Sequence, residues 1–185
     1  MPRIDSSVED PYDLSFLHNF SCDCPDARIA DALKHLVAAW LSSVHEIPHF
    51  LGAVEEELHL TGAEAVHIRW LLALNPNTPP AILDELHGEG VAKVLERIAE
   101  NPRTSAETLK ELAYQAVVDI RIAVAGNINT PVASIMMLSA DDSVDVRLSL
   151  AENHNIPFAA LEVLANDDNP YVKFRAEKTL KRLRY

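Results

Sequence analysis

The sequence predicts an all-α protein, a right-handed α-solenoid (superhelix) of about four 26-residue helical repeats with N- and C-terminal caps. The first observation is an asparagine that recurs every 26 residues, at Asn75, Asn101, Asn127 and Asn153. The second is that apolar residues recur in the same register around each asparagine. The third is the composition, with 48% hydrophobic residues and only 5 glycines, which suits short packed helices. A single repeat would expose its apolar face, so stacking of neighbouring repeats is expected to bury the core.

The core positions follow from aligning the repeats. The segments that begin at the asparagines read NPNTPPAILDEL, NPRTSAETLKEL, NINTPVASIMML and NHNIPFAALEVL. Two apolar columns result, one of Leu83, Leu109, Ile135 and Leu161, the other of Leu86, Leu112, Leu138 and Leu164. A third column, two residues before each asparagine, holds Ala73, Ala99, Ala125 and Ala151. We expect the apolar columns to be buried and the alanines to mark close approaches between helices.

Each repeat is predicted to contain a short and a longer helix. Threonine followed by proline, as in Thr130-Pro131, is typical of an N-cap with proline at the first helical position. The short helix of the third copy is predicted at about 131–139. The longer helix carries Ile120 and Val124 on one face. The asparagine is expected to end it, since asparagine tolerates the left-handed conformation and can hydrogen-bond local backbone.

The pattern N-P-x-T-P-x-x-x-L-x-x-L-A, preceded by V-R-x-x-x-A-x-N, resembles the leucine-rich repeat variant (LRV) family. Asn75–Leu86 and Ile120–Leu138 carry the pattern best, and the resemblance covers roughly residues 67–178. It implies α-helices that alternate with 3₁₀-helices in a right-handed superhelix. The 26-residue spacing is slightly longer than the family's usual unit, so the short element could instead be a true α-helix. Asp142-x-x-x-Val146-Arg147 and Asp168-x-x-x-Val172-Lys173 are also HEAT-like.

The chain divides into two parts by the same alignment. Residues 1–62 are predicted to form an irregular arm (1–25) and a helical cap with helices at about 26–42 and 48–60. Residues 63–185 are predicted to form the repeat solenoid, with 63–74 as the long helix of a first repeat. The solenoid includes a basic C-terminal capping helix, since Lys173–Tyr185 holds six bases and one acid.

The N-terminal arm contains the only two cysteines of the chain, Cys22 and Cys24, near His18. Thiolates and imidazole bind zinc, and His35 could complete a tetrahedron. The LRV family includes a member with an N-terminal iron–sulfur domain, but a [4Fe–4S] cluster is normally ligated by four thiolates and this chain has two cysteines. We therefore carry over no cluster. Zinc or iron at this site is a hypothesis, and ordinary cysteines with no cofactor are the favoured interpretation.

A basic column is the second candidate site. One repeat position holds a base in four copies, Arg69, Arg121, Arg147 and Lys173, and the copy after Arg69 has Leu95 there instead. The column could form a stripe that binds an acidic chain. Alternatively, it could form an inter-repeat ladder of ion pairs with Asp142 and Asp168, and this second interpretation is favoured. The asparagine column is expected to be structural, because backbone groups at the turn need hydrogen-bond partners.

Composition and motifs restrict the function. The net charge of −12 argues against generic nucleic-acid binding, which depends on neutralising phosphates with Lys and Arg. No phosphate-binding glycine loop or nucleophile elbow is present, so we expect no enzyme. The longest apolar run, at 36–41, is too short to cross a bilayer, and the first residues do not resemble a signal peptide, so a cytoplasmic protein is expected.

The expected function is a non-enzymatic protein–protein interaction scaffold that binds a partner on the concave face of the long helices. Two alternatives remain open from the sequence. One is a metal or redox accessory protein that uses the Cys-x-Cys arm. The other is a nucleic-acid-associated helical-repeat protein that uses the arginine column and the basic C-terminal helix, which could also dock an acidic partner.

Overall fold

The computed structural model describes residues 62–88 and 90–183, and all the regular secondary structure in these ranges is α-helical. The helices in chain order are α1 (Gly62–Leu74), α2 (Pro80–His87), α3 (Ala92–Glu100), α4 (Ala106–Leu112), α5 (Val118–Gly126), α6 (Val132–Leu138), α7 (Val144–Glu152), α8 (Phe158–Leu164) and α9 (Pro170–Leu183). The all-α class predicted from the sequence is therefore confirmed. The arm at 1–25, the helices expected at 26–42 and 48–60, and the candidate metal ligands lie outside the described residues.

The helices alternate between two roles. The long helices α1, α3, α5, α7 and α9 stack side by side, each in contact with the next one in the series. The short helices α2, α4, α6 and α8 each pack against the two long helices that flank them in the sequence. Every contact of this kind joins helices that are close in the chain, so the described part is built from neighbour-to-neighbour packing, as expected of stacked repeats.

The core lies between the long and the short helices, and the aligned columns supply it. Leu83, Leu109 and Leu161 are 0% exposed and Ile135 is 3% exposed. All four alanines of the column before the asparagines are 0% exposed. These residues belong to one continuous apolar cluster that extends from α1 to α9. The predicted core is confirmed, and the alanine column is buried with it.

The threonine–proline pair does not act as predicted. The N-cap of α6 is Pro131, in an extended conformation (φ −57°, ψ 142°), so Thr130 lies outside the helix. The hydroxyl of Thr130 instead donates a hydrogen bond to the carbonyl oxygen of Val124 at 2.6 Å. The physical reason is that a carbonyl in the last turn of a helix can accept a second hydrogen bond, here besides the one from the backbone N–H of Asn127, and the threonine lies beside the end of the preceding long helix. The proposed threonine N-cap was therefore wrong: this residue completes the previous helix.

The same arrangement recurs in two other repeats, whereas the fourth has Ile156 at this position. Thr78 donates to the carbonyl oxygen of Leu72 at 2.6 Å, and Thr104 donates to that of Ile98. In α4 the N-cap is Ser105, whose side chain accepts a hydrogen bond from the backbone N–H of Thr108. The short elements are α-helical rather than 3₁₀, and α6 is one residue shorter at each end than the predicted 131–139.

Candidate functional site

The asparagine column links consecutive repeats through their backbones. Nδ2 of Asn101 donates to the carbonyl oxygens of Ala73 and Asn75, at 2.8 Å each. Its Oδ1 accepts from the backbone N–H of Arg103 at 2.9 Å. Asn101 is only 3% exposed, and both ends of its amide are used within the fold. This asparagine is structural, as the sequence indicated.

The bonding pattern continues along the stack. Nδ2 of Asn127 donates to the carbonyl oxygens of Ala99 and Asn101, at 2.7 and 2.8 Å. Asn153 donates to that of Ala125 at 3.0 Å. In α9 the column position is held by Thr179, whose hydroxyl donates to the carbonyl oxygen of Ala151 at 2.7 Å. Because these donors are already bonded to backbone carbonyls, the column is not a row of free ligand-binding groups.

The two central arginines of the basic column form ion pairs between repeats. Nε of Arg121 lies 2.8 Å from Oδ2 of Asp141, and Nη2 lies 2.9 Å from Oδ1, a bidentate arrangement. Nη1 of Arg121 also donates to the carbonyl oxygen of Gln115 at 2.8 Å. The side chains of the pair are 14% and 9% exposed, respectively. The guanidinium therefore joins α5 to the turn that precedes α7.

Arg147 repeats this geometry one unit later. Its Nε lies 2.7 Å from Oδ2 of Asp167, and its Nη1 donates to the carbonyl oxygen of Asp141 at 2.6 Å. The side chains of Arg147 and Asp167 are 16% and 7% exposed. The geometry is that of the inter-repeat ladder, but the acceptors are not the aspartates that the sequence suggested. Asp142 and Asp168 are exposed, and the residue before each of them makes the ion pair.

A local hydrogen bond explains which aspartate is chosen. Oδ1 of Asp141 accepts from the backbone N–H of Ser143, and Oδ1 of Asp167 accepts from that of Asn169, both at 2.8 Å. Such Asx turns fold the carboxylate back over the start of the following long helix, where it meets the arginine of the preceding one. The first aspartate of each pair is therefore the one that faces the fold.

These contacts also set the protonation of the carboxylates. Burial by itself would raise the pKa of Asp141, but the hydrogen bonds from Arg121 and from the N–H of Ser143 outweigh it, and the pKa lies below its usual value. Asp167 shows the same balance: burial opposes ionisation, the bonds from Arg147 and Asn169 favour it, and the pKa is lowered. Both arginines have a pKa raised chiefly by the hydrogen bond to their aspartate. The pairs are therefore ionised at neutral pH.

The other members of the basic column lie in different surroundings. Arg69 is half-buried on α1, and Leu95 at the equivalent position of α3 is 3% exposed. Lys173 is exposed on α9. A pattern in the sequence could have identified the acceptors. Asp141 and Asp167 share one repeat position, 20 residues after the arginine with which each pairs. The repeat that has Leu95 instead of the arginine has Gln115, not an acid, at that position.

The exposed side of the stacked long helices is the remaining candidate surface, here called the long-helix face. One repeat position on it forms an apolar row, Trp70, Ile122, Leu148 and Phe174, which Glu96 interrupts in α3. Trp70, Ile122 and Leu148 are partly buried against the core, and Phe174 is 60% exposed. The ring of His67 stacks on that of Trp70, with centroids 6.0 Å apart and planes 11° apart. The row crosses four of the five long helices of the described ranges.

Charged residues flank this row. The exposed neighbours on α5 and α7 include Asp119, Asp145 and Glu152, whereas α9 presents Arg175 and Lys178. The face is thus acidic in its middle and basic at the α9 end.

Within 62–88 and 90–183, no three His, Cys, Asp or Glu side chains are grouped so that they could hold a metal ion. His18, Cys22 and Cys24 lie outside these ranges, so the zinc hypothesis stays a prediction. None of the helices in the described part is long and apolar enough to span a membrane.

Comparison of the chain with protein-family models, with curated proteins and with solved structures found no match.

Proposed function

We propose that this chain is a non-enzymatic protein-interaction scaffold, a right-handed α-solenoid of LRV-like repeats that binds a partner protein on the long-helix face. The observation that carries the proposal is the apolar row of Trp70, Ile122, Leu148 and Phe174. Large side chains at one repeat position of four of the five stacked long helices form an apolar stripe that Glu96 interrupts in α3, and large apolar and aromatic groups are enriched in protein-binding surfaces.

The polar groups of the repeats support the choice of this face. The asparagine column and the pairs Arg121–Asp141 and Arg147–Asp167 use their hydrogen-bonding capacity between repeats. A partner therefore gains little by contacting them. The long-helix face carries side chains that make no such hydrogen bond between repeats, including Phe174, which is 60% exposed.

Stacking also gives this face its extent. Helices that pack side by side lie about 9 Å apart, so five of them present a surface of about 40 Å, long enough for an extended segment or a helix of a partner. Stacked-repeat proteins bind their partners on extended surfaces formed by consecutive repeats.

The test is affinity capture from native lysate by the full chain, with quantification of the bound proteins. The long-helix variant Leu148→Gln/Phe174→Gln is compared with a matched variant on the short helices, Val132→Gln/Val163→Gln, whose side chains are 60% and 44% exposed. Circular dichroism checks that both variants are folded. We expect a set of proteins captured by the wild type and by the short-helix variant but lost by the long-helix variant. Loss by the short-helix variant alone, or no reproducible capture, would overturn the proposal.

A further inference from the structure

The exposed side of α9 carries an unusual set of side chains. Tyr171, Phe174, Arg175, Lys178, Lys181 and Arg182 are all exposed. Their spacing of three and four residues places them on one side of the helix, opposite the buried Val172, Ala176, Thr179 and Leu180. This set, here called the α9 patch, holds four bases and two aromatic residues beside a single exposed acid of the helix, Glu177, in a protein whose net charge is −12.

Most charged groups of the α9 patch are able to form ion pairs with a bound partner. Arg175 pairs with Glu152 of α7 at 3.1 Å, and both side chains are about half exposed, so solvent weakens this pair. Within the described residues, no carboxylate forms an ion pair with Lys178, Lys181 or Arg182. Cations in the last turn of a helix also interact favourably with its dipole, but that accounts for Lys181 and Arg182 alone.

The aromatic side chains are the second, independent feature. Tyr171 is 75% exposed and Phe174 is 60% exposed. In the preceding long helix, the equivalent residues are Asp145 and the partly buried Leu148. Two exposed rings beside four cations form an amphipathic surface, and such a combination binds segments that have both acidic and apolar side chains.

We infer, on the basis of the proposed function, that the α9 patch binds a segment of a partner protein that combines several Asp or Glu residues with a large apolar side chain. The carboxylates contact Lys178, Lys181 and Arg182, and the apolar group packs on Tyr171 and Phe174. The bound segment therefore covers the α9 end of the long-helix face, where Phe174 is the last member of the apolar row.

A protein segment fits the patch better than a nucleic acid does. The positions of α5 and α7 equivalent to Tyr171 hold Asp119 and Asp145, and Glu152 stands where α9 has Lys178. A regular polyanion that continued along the face would meet these carboxylates and be repelled. The cations are confined to one helix, whose 14 residues span about 21 Å, a length that suits a short acidic segment.

The experiment measures binding of labelled probes to the full chain by fluorescence anisotropy at two salt concentrations. One probe is a synthetic peptide of Glu and Asp interspersed with Phe and Leu. The second has Ser in place of each Phe and Leu, the third has Lys in place of each acid, and the fourth is a single-stranded RNA of similar length. We expect the first probe to bind most tightly and more weakly at high salt, and the third not to bind.

Variants locate the site. Lys178→Glu/Lys181→Glu/Arg182→Glu is expected to weaken binding of the first probe about tenfold or more. Tyr171→Ser/Phe174→Ser is expected to weaken it about fivefold, to the level of the second probe. Lys93→Glu/Lys110→Glu, which changes exposed bases on α3 and α4, is the matched control and should keep wild-type binding.

Tighter binding of the RNA than of the acidic apolar peptide, an equal loss in the control variant, or no binding of any probe would overturn the inference. These results are separate from the capture experiment. If captured proteins depend on Leu148 and Phe174 while the acidic peptides fail to bind, the proposed function stands and the inferred acidic, apolar chemistry of the partner segment is wrong.

Discussion

Nδ2 of Asn127 lies 2.7 Å from the carbonyl oxygen of Ala99, a residue of the preceding repeat. The same nitrogen donates to the carbonyl oxygen of Asn101 at 2.8 Å. Both carbonyls lie where a long helix ends and the chain turns, so neither has a partner within its own helix. One buried amide thus bonds two main-chain acceptors of another unit, and the ends of α1, α3 and α5 each receive a hydrogen bond from the asparagine of the next repeat.

Replacing that amide should therefore be costly. Asn127→Ala is expected to lower the free energy of unfolding by about 2 kcal/mol, because the carbonyl of Ala99 loses its amide donor and that of Asn101 keeps only the backbone N–H of Thr104. The measurement is urea denaturation followed by circular dichroism. Asn155→Ala, which changes an exposed asparagine of the following turn, is the control and should alter stability by less than about 0.5 kcal/mol. Equal stability of the two variants would show that the asparagine bonds contribute nothing.

Two variants distinguish the hydrogen bond of Thr104 to the preceding helix from the N-cap of Ser105 in the following one. Thr104→Val is expected to destabilise the protein by about 1 kcal/mol, because the buried carbonyl of Ile98 loses one of its two donors and keeps only the backbone N–H of Asn101. Ser105→Ala removes the true N-cap of α4 and should cost about 1 kcal/mol. Hydrogen exchange distinguishes the two variants, since only Ser105→Ala removes the acceptor of the Thr108 N–H. Faster exchange of that amide in Thr104→Val alone would restore the threonine as the N-cap.

The arginine–aspartate pairs should behave as partly buried ones. Arg121→Ala is expected to cost about 2 kcal/mol, because it leaves Asp141, whose side chain is 9% exposed, without its cation. A double-mutant cycle with Asp141→Asn isolates the coupling between the two residues. Lys110 and Glu107 form an exposed pair at 2.8 Å on α4, and Lys110→Ala should leave stability unchanged. A cycle with no coupling for Arg121 and Asp141 would contradict the inter-repeat ladder.

Acid should weaken the same ladder. The folded-state pKa values of Asp141 and Asp167 are lowered, so each ionised carboxylate stabilises the fold at any pH above its unfolded-state value of about 3.9. This contribution is lost as the pH falls below about 4 and through the folded-state pKa. Chemical denaturation at a series of pH values should show a steeper loss below pH 4 in the wild type than in Asp141→Asn/Asp167→Asn. Asp119→Asn, an exposed control on α5, should keep the wild-type profile, and identical slopes in all three would refute the assignment.

The fold was predictable because the repeats supply the same information several times. A single Leu109 says little, but four apolar residues at one position indicate a buried column, and each of them is buried in the structure. The asparagine column was predictable for the same reason, since backbone groups at a repeated turn need a repeated partner. What the alignment could not give is the direction of a hydrogen bond, so the bond of Thr130 to the preceding helix was missed.

The candidate site was less predictable, and the aspartates show why. Asp141 and Asp142 are adjacent and chemically identical, and the sequence spacing allows either to reach Arg121. Only the Asx turn to Ser143 decides between them, and this is a property of the folded backbone. The long-helix face poses a similar problem: the row through Leu148 and Phe174 is visible as a column in the sequence, but whether its side chains face the core or solvent depends on how the long helices stack.

The bonds between neighbouring units have a consequence for the length of the protein. Removal of residues 101–126 as one block would join Glu100 to Asn127 and place Asn127 where Asn101 now bonds to Ala73. The row of amide bonds would close again without a mismatch, and the stack would become shorter by one long helix, about 9 Å. A deletion whose length is not a multiple of 26 residues would put the amides out of register. The surface can therefore be lengthened or shortened in evolution by whole repeats, while the hydrogen bonds between neighbouring repeats stay the same.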